Sequence, residues 1–147
     1  HEEDHHHSIE TMARVALLVL LLAVSATADL AKLSDFDTQF ETTKAGSGDV
    51  VSKGNTVTVH ATGTVKETGK KFWSTKDPGQ QAFTYQAGVG KVIVGWDQGC
   101  LGMKVGEVRE LHIPPHEGYG ERGFPAWGIP PNGSLKFEIE VLSIKGA

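Results

Sequence analysis

From Thr56 onward the chain alternates, with Val57, Val59 and Ala61 on one side and Thr56, Thr58, His60 and Thr62 on the other. A period of two carried by β-branched residues predicts a strand with one wet face. The same period returns over Val108–Ile113, and again where Leu135, Phe137, Ile139 and Val141 alternate with Lys136, Glu138 and Glu140. Two shorter strands, Lys71–Ser74 and Ala82–Gln86, are set off by turn signals at Glu67-Thr68-Gly69-Lys70 and Asp77-Pro78-Gly79. Only Val94–Leu101 reads as a helix, and Gly99 and Gly102 predict that it ends early. A loop rich in Pro and Gly runs from Pro114 to Gly133 and holds Tyr119, Phe124, Trp127 and Ile129. These elements predict the α+β class: an antiparallel β-sheet wrapped around one short α-helix.

Upstream the pattern changes in kind. Val15 to Val24 is an unbroken apolar run, preceded by Arg14 and followed by the small-x-small triplet Ala26-Thr27-Ala28. That is the layout of a signal peptide, with Asp29 as the expected first residue after cleavage. The run is shorter than the roughly 20 apolar residues a membrane span requires, so no stable membrane insertion is expected after cleavage. The expected organisation is an upstream extension or tag over 1–11, a signal peptide over 12–28, an N-terminal arm over 29–46 and a compact domain over 47–145. Within the arm, Leu30, Leu33, Phe36 and Phe40 fit a short helix or an irregular docking segment, and a strand around Phe40–Thr43 joining the sheet edge is the alternative. The chain ends in Ile144-Lys145-Gly146-Ala147 without a retention signal of the Lys-Asp-Glu-Leu type. Secretion, or residence in a secretory compartment such as the ER lumen, is the expectation.

Composition narrows the field. A length of 147 residues leaves room for one domain with tails, and 39% hydrophobic residues suffice for one core. A net charge of −4 with interspersed signs lacks the clustered basic surface of a nucleic-acid platform. The single cysteine, Cys100, excludes an internal disulfide and sits in an apolar stretch where a buried small hydrophobe is expected. His5, His6 and His7 are adjacent but belong to no element that would fix a metal geometry. His60, His112 and His116 lack the His-Glu-x-x-His spacing, and His60 and His112 are expected on solvated strand faces. The chain also lacks the Gly-x-Ser-x-Gly elbow and the phosphate-cradling Gly-x-x-x-x-Gly-Lys-Ser/Thr loop. No metal, no cofactor and no second copy of the chain is called for.

What remains is a set of aromatic and aliphatic residues suited to an apolar pocket with few polar handles. Val92-Ile93-Val94-Gly95-Trp96, Gly118-Tyr119-Gly120, Ile129-Pro130-Pro131 and the Leu135–Glu140 strand stand in that order along the chain. In this combination the sequence from about Ser47 to Ile144 resembles the FKBP family of peptidyl-prolyl isomerases.

The resemblance implies a pocket whose floor is Trp96 and whose apolar walls are Phe72, Phe83, Val92, Ile129 and Phe137. The backbone N–H of Ile93 and the hydroxyl of Tyr119 match the groups that hydrogen-bond ligand carbonyls. Trp96, Tyr119, Phe137 and Phe72 are thereby implied in catalysis, with Phe83, Val92, Ile93, Ile129, Phe124, Trp73 and Ala61 contacting substrate. The implied reaction is rotation about X-Pro bonds in Pro-containing polypeptides during folding, where the amide barrier is about 18–20 kcal/mol. A twisted amide has lost its resonance and its charge separation, so a dry apolar cavity favours it over the planar form.

Two positions depart from the family. Ala61 stands where Tyr is usual after the first-strand His, and Trp73 where Asp is usual after the Phe of the next strand. A lost hydrogen bond to a charged acceptor is worth about 1.5–3 kcal/mol, so reduced affinity for macrolide immunosuppressants is implied. Trp73 also offers volume where Ala61 withdraws it. The loop carries one extra residue near Ala126-Trp127-Gly128, which puts Phe124 and Trp127 on the pocket rim. A catalytically weak FKBP-fold module that binds Pro-containing partners is the second reading these departures leave open.

Overall fold

The computed structural model describes residues 30–33 and 35–146. The expected extension and signal peptide, residues 1–28, lie outside the described residues. In chain order the strands are β1 (Ala31–Lys32), β2 (Gln39–Lys44), β3 (Ser47–Val50), β4 (Thr56–Val65), β5 (Lys71–Ser74), β6 (Phe83–Gln86), β7 (Lys104–Val105), β8 (Val108–Ile113) and β9 (Leu135–Lys145). Among the described residues there is one α-helix, α1 (Val94–Gly99), between β6 and β7.

Strand β4 is the axis of the fold because its alternation is unbroken. Val57, Val59, Ala61 and Val65 are buried, and the Thr and His positions between them are half-covered. Its full length pairs antiparallel with β9. Its other edge is shared end to end by β6, along Thr56–Val59, and β5, along Thr62–Thr64. The sheet continues from β9 to β8, β2 and β1, giving the order β1-β2-β8-β9-β4-β5 with β6 also beside β4. A small second sheet pairs β3 with β7.

The arm is drawn into this sheet. Along Gln39–Lys44 it forms a strand against β8, as the strand alternative anticipated, and not a helix. Without it, β8 would present an open row of backbone donors and acceptors. Phe40 lies beneath the Arg109 guanidinium, 4.1 Å from ring centroid to Cζ.

Helix α1 is shorter than expected. Cys100 N–H still reaches Trp96 C=O at 3.0 Å, but Leu101 N–H bonds to Gln98 C=O and Gly102 turns to a φ of 87°. Carbonyls at its end and just beyond it are held from outside the helix: Arg109 Nη1 donates to Gly99 C=O at 3.0 Å and to Leu101 C=O at 3.1 Å. The same guanidinium pairs with buried Glu107 at 2.6 Å. Close seating of α1 on β8 depends on glycine. A Cβ at Gly95 would stand 2.5 Å from Ile113 Cγ2, and one at Gly99 would stand 2.9 Å from Leu111 Cδ2. Seated this closely, the helix carries Trp96 into the apolar layer, which includes Val57, Val59, Leu111, Ile113, Leu135, Ile139, Val141 and Cys100.

Candidate functional site

Trp96 projects from α1 into a depression of about 110 Å³ lined by Trp73, Phe83, Val92, Ile93, Trp96, Tyr119, Trp127 and Phe137. None of these eight residues carries a charge. The Trp96 indole is held edge-to-face by Phe137 at 5.0 Å, Phe83 at 5.7 Å and Tyr85 at 5.9 Å between centroids. Three such contacts from two strands leave the floor little freedom to rotate.

Each wall has its own anchor. Val92 and Ile93 follow a tight loop whose Gly88 and Gly90 N–H groups donate to the buried Asp97 carboxylate at 2.8 and 2.9 Å. Asp97 thereby ties that loop to the helix that carries Trp96. Phe137 enters from β9, opposite Gly63 on β4. Trp73 leaves β5 and packs on Phe83, Trp96 and Trp127, stacking on the last at 6.4 Å with an interplanar angle of 8°. Tyr119 sits between two 3-10 turns, Pro115–Glu117 and Gly120–Arg122, and its ring meets Phe124 at 5.5 Å. Burial pushes its phenol above the usual range, so the hydroxyl keeps its proton at neutral pH.

Seven of the residues singled out in the sequence share this depression: Trp96, Tyr119, Phe137, Phe83, Val92, Ile93 and Trp73. The other four do not line it. Phe72 backs the wall, edge-on to Phe137 at 5.6 Å and stacked on Trp127 at 6.1 Å. Ile129 is fully buried behind the loop. Phe124 is exposed at the rim, against Tyr119 and Trp127. Ala61 borders a different, polar depression with His60, Lys76, Glu138 and Glu140.

Trp127 is the wall that sequence reasoning placed only on the rim. A 3-10 turn over Pro125–Trp127, closed by Gly128 at φ 73°, swings its indole over Trp73. Pro125 and Gly128 were the available signal, since that pairing marks a tight turn.

Among the described residues, the histidines (His60, His112 and His116) lie apart from the depression. His60 Nδ1 lies 2.9 Å from Thr75 Oγ1 and His112 Nε2 lies 2.9 Å from Glu110 Oε1, so both are half-covered and partnered where open solvation was expected. Asp37, His116 and Glu117 bring ligand-type atoms within 4.8 Å of one another. Glu117, however, already accepts three hydrogen bonds from Asp37 and Thr38, so this cluster is an anchor for the arm.

The arrangement can hold a small apolar ring on an indole floor and exclude water from the bond beside it. Residues 48–142 match the family model described as FKBP-type peptidyl-prolyl cis-trans isomerase. The peptidyl-prolyl cis-trans isomerase FKBP12 of Vicia faba is 57% identical over 101 residues, covering 67% of this chain and 90% of the relative. FK506-binding protein 2B of Rhizopus delemar is 45% identical over 145 residues, covering 90% of this chain and 65% of the relative. Among solved structures, FkpA from Escherichia coli superimposes with a TM-score of 0.70 at 33% identity, covering 80% of this chain and 52% of that one.

Proposed function

The chain belongs to the FKBP-type peptidyl-prolyl cis-trans isomerase family, and from that premise we propose that its chemistry takes place in the Trp96 depression, on unstructured Pro-containing segments in the secretory pathway. The observation that carries this is the uncharged, aromatic lining around an immobilised indole. The prolyl ring rests on Trp96, walled by Phe137, Phe83 and Val92. The Ile93 N–H and the Tyr119 hydroxyl hold the flanking carbonyls. A planar amide loses more than a twisted one on leaving water for such a lining, and that difference lowers the barrier. No group needs to bond covalently to the substrate. Uncatalysed isomerisation takes about 10–100 s at 25 °C, slow enough to limit folding of a secreted client.

The secretory assignment rests on the Val15–Val24 run with its Ala26-Thr27-Ala28 triplet. Likeness to FK506-binding protein 2B covers 90% of the chain and so extends beyond residues 48–142. Macrolide affinity is expected to be reduced, because Trp73 puts an indole where the family carries a carboxylate. Trp73→Asp should raise that affinity about tenfold or more, in line with about 1.5–3 kcal/mol for a hydrogen bond to a charged group; unchanged binding by calorimetry would refute this account of Trp73.

The test of the whole reading is the cis-trans exchange rate of a short Ala-Leu-Pro-Phe peptide, followed by NMR. Acceleration should collapse in Trp96→Ala and fall in Tyr119→Phe. The stacked Trp73–Trp127 wall favours a second reading, a binding module with slow turnover. Peptide shifts without acceleration would establish that reading instead.

A further inference from the structure

The region matched by the family begins at residue 48, yet the arm before it reaches the base of the Tyr119 loop. Glu117 ends the 3-10 turn Pro115–Glu117, two residues ahead of Tyr119, and is buried. Its Oε2 accepts the Asp37 N–H at 2.7 Å. Its Oε1 accepts the Thr38 N–H at 2.9 Å and the Thr38 hydroxyl at 2.6 Å. Thr38 is wholly buried, and its Oγ1 faces the helix backbone so closely that a Cβ on Gly95 would stand 2.6 Å from it. Gly95 immediately precedes Trp96. Outside this core contact, His116 Nε2 lies 2.8 Å from Asp37 Oδ2.

We propose that Glu117 is a positioning residue for isomerisation, clamping Asp37 and Thr38 between the loop that carries Tyr119 and the helix that carries Trp96. The inference rests on the reading of the Trp96 depression as the active site. Thr38 is the middle layer: one carboxylate holds it on the loop side, and the glycine face of α1 meets it on the other. The distance from the indole floor to the phenol hydroxyl is therefore set in part by a segment that does not line the depression.

Two chemical facts make the carboxylate hard to replace. Both oxygens face donors, so an amide in its place must turn its NH2 toward one of the N–H groups. Burial pushes the Glu117 carboxyl up, but the hydrogen bonds from Thr38 and Asp37, with His116 nearby, outweigh it and hold the group below the usual range. It is therefore ionised, and an acceptor at both oxygens, at neutral pH.

The experiment measures catalysed exchange and peptide affinity by NMR in the full chain, for wild type, Glu117→Gln, Thr38→Val, Thr38→Ser and Trp96→Ala. A misplacement of about 1 Å can cost about a hundredfold in rate, so a fall of about tenfold is expected for Glu117→Gln and a smaller one for Thr38→Val. Thr38→Ser, which keeps the hydroxyl, should recover most of the rate. Peptide affinity should change far less than rate, and the Trp96 indole and Tyr119 ring signals should move in the impaired variants. Exchange within twofold of wild type in both Glu117→Gln and Thr38→Val, with only the melting temperature lowered, would overturn the proposal and leave a structural tether. Should Glu117→Gln fail to fold, the Thr38 pair decides alone, because Thr38→Val removes the hydroxyl that Thr38→Ser keeps. If Trp96→Ala retains full acceleration, the site itself has been misassigned and the clamp falls with it; if Trp96→Ala is inactive and the clamp variants are not, the clamp alone fails.

Discussion

At Gly63 two phenyl rings occupy the place where a side chain would stand. A Cβ there would lie 2.5 Å from Phe72 Cζ and 2.7 Å from Phe137 Cε1. Gly63→Ala should therefore push both rings, destabilise the fold by about 1–3 kcal/mol as overpacking does, and disturb the Phe137 wall. Denaturant titration beside the peptide-exchange assay would show both effects, and an unchanged midpoint would contradict the crowding argument. Cys100 presents the opposite case, a reactive atom made inert. Burial pushes its thiol up to about 12, and the residue is fully enclosed. A thiol-specific reagent should leave native protein unmodified and label it once unfolded, which mass spectrometry would read.

Among the elements, α1 depends on a partner remote in sequence. Arg109 caps the carbonyls of Gly99 and Leu101 and is itself neutralised by Glu107, whose carboxylate also accepts the Lys104 N–H at 3.0 Å. Arg109→Ala leaves Glu107 buried and unpaired, and a loss of about 3–5 kcal/mol is expected by chemical denaturation. A loss below about 1 kcal/mol would mean that the pair is replaceable by solvent. The long strands were legible in the sequence because β-branched residues at period two admit few other structures. The helix end was legible only in part: Gly99 and Gly102 signal a stop, but the stop falls where Leu101 N–H abandons the helical partner for Gln98 C=O. The arm stayed open between helix and strand because Leu30, Leu33, Phe36 and Phe40 fit a helical spacing, while the vacant edge of β8 that decides the matter lies far along the chain. The β3–β7 pair left no pattern, since two residues of β7 cannot display a period.

Over the whole molecule, the sequence disclosed which residues would form an apolar site better than which surface each would take. Phe72, Ile129 and Ala61 alternate or recur like wall residues, yet strand register and loop closure turn them behind or away from the depression. The arm contact is legible only in three dimensions, because Glu117 and Thr38 are 79 positions apart. It also couples stability to pH. Glu117 titrates below its ordinary value of 4.5, so its stabilising contribution is complete above that value and is lost as pH falls through the lower, folded value. Unfolding free energy followed from neutral into acid pH should decline in that window, and Glu117→Gln should flatten the decline. An identical acid profile in the variant would assign the decline to other carboxylates.

The chain's three tryptophans are Trp73, Trp96 and Trp127, and all three line the depression. Their rings lie 6.0 and 6.4 Å from Trp73, close enough for the indoles to share excitation. Intrinsic ultraviolet emission from this protein is therefore a local signal, free of background from indoles elsewhere in the molecule. A proline-bearing peptide titrated into unlabelled protein should shift that emission with the same midpoint as its NMR affinity, so that occupancy becomes visible in real time without a dye.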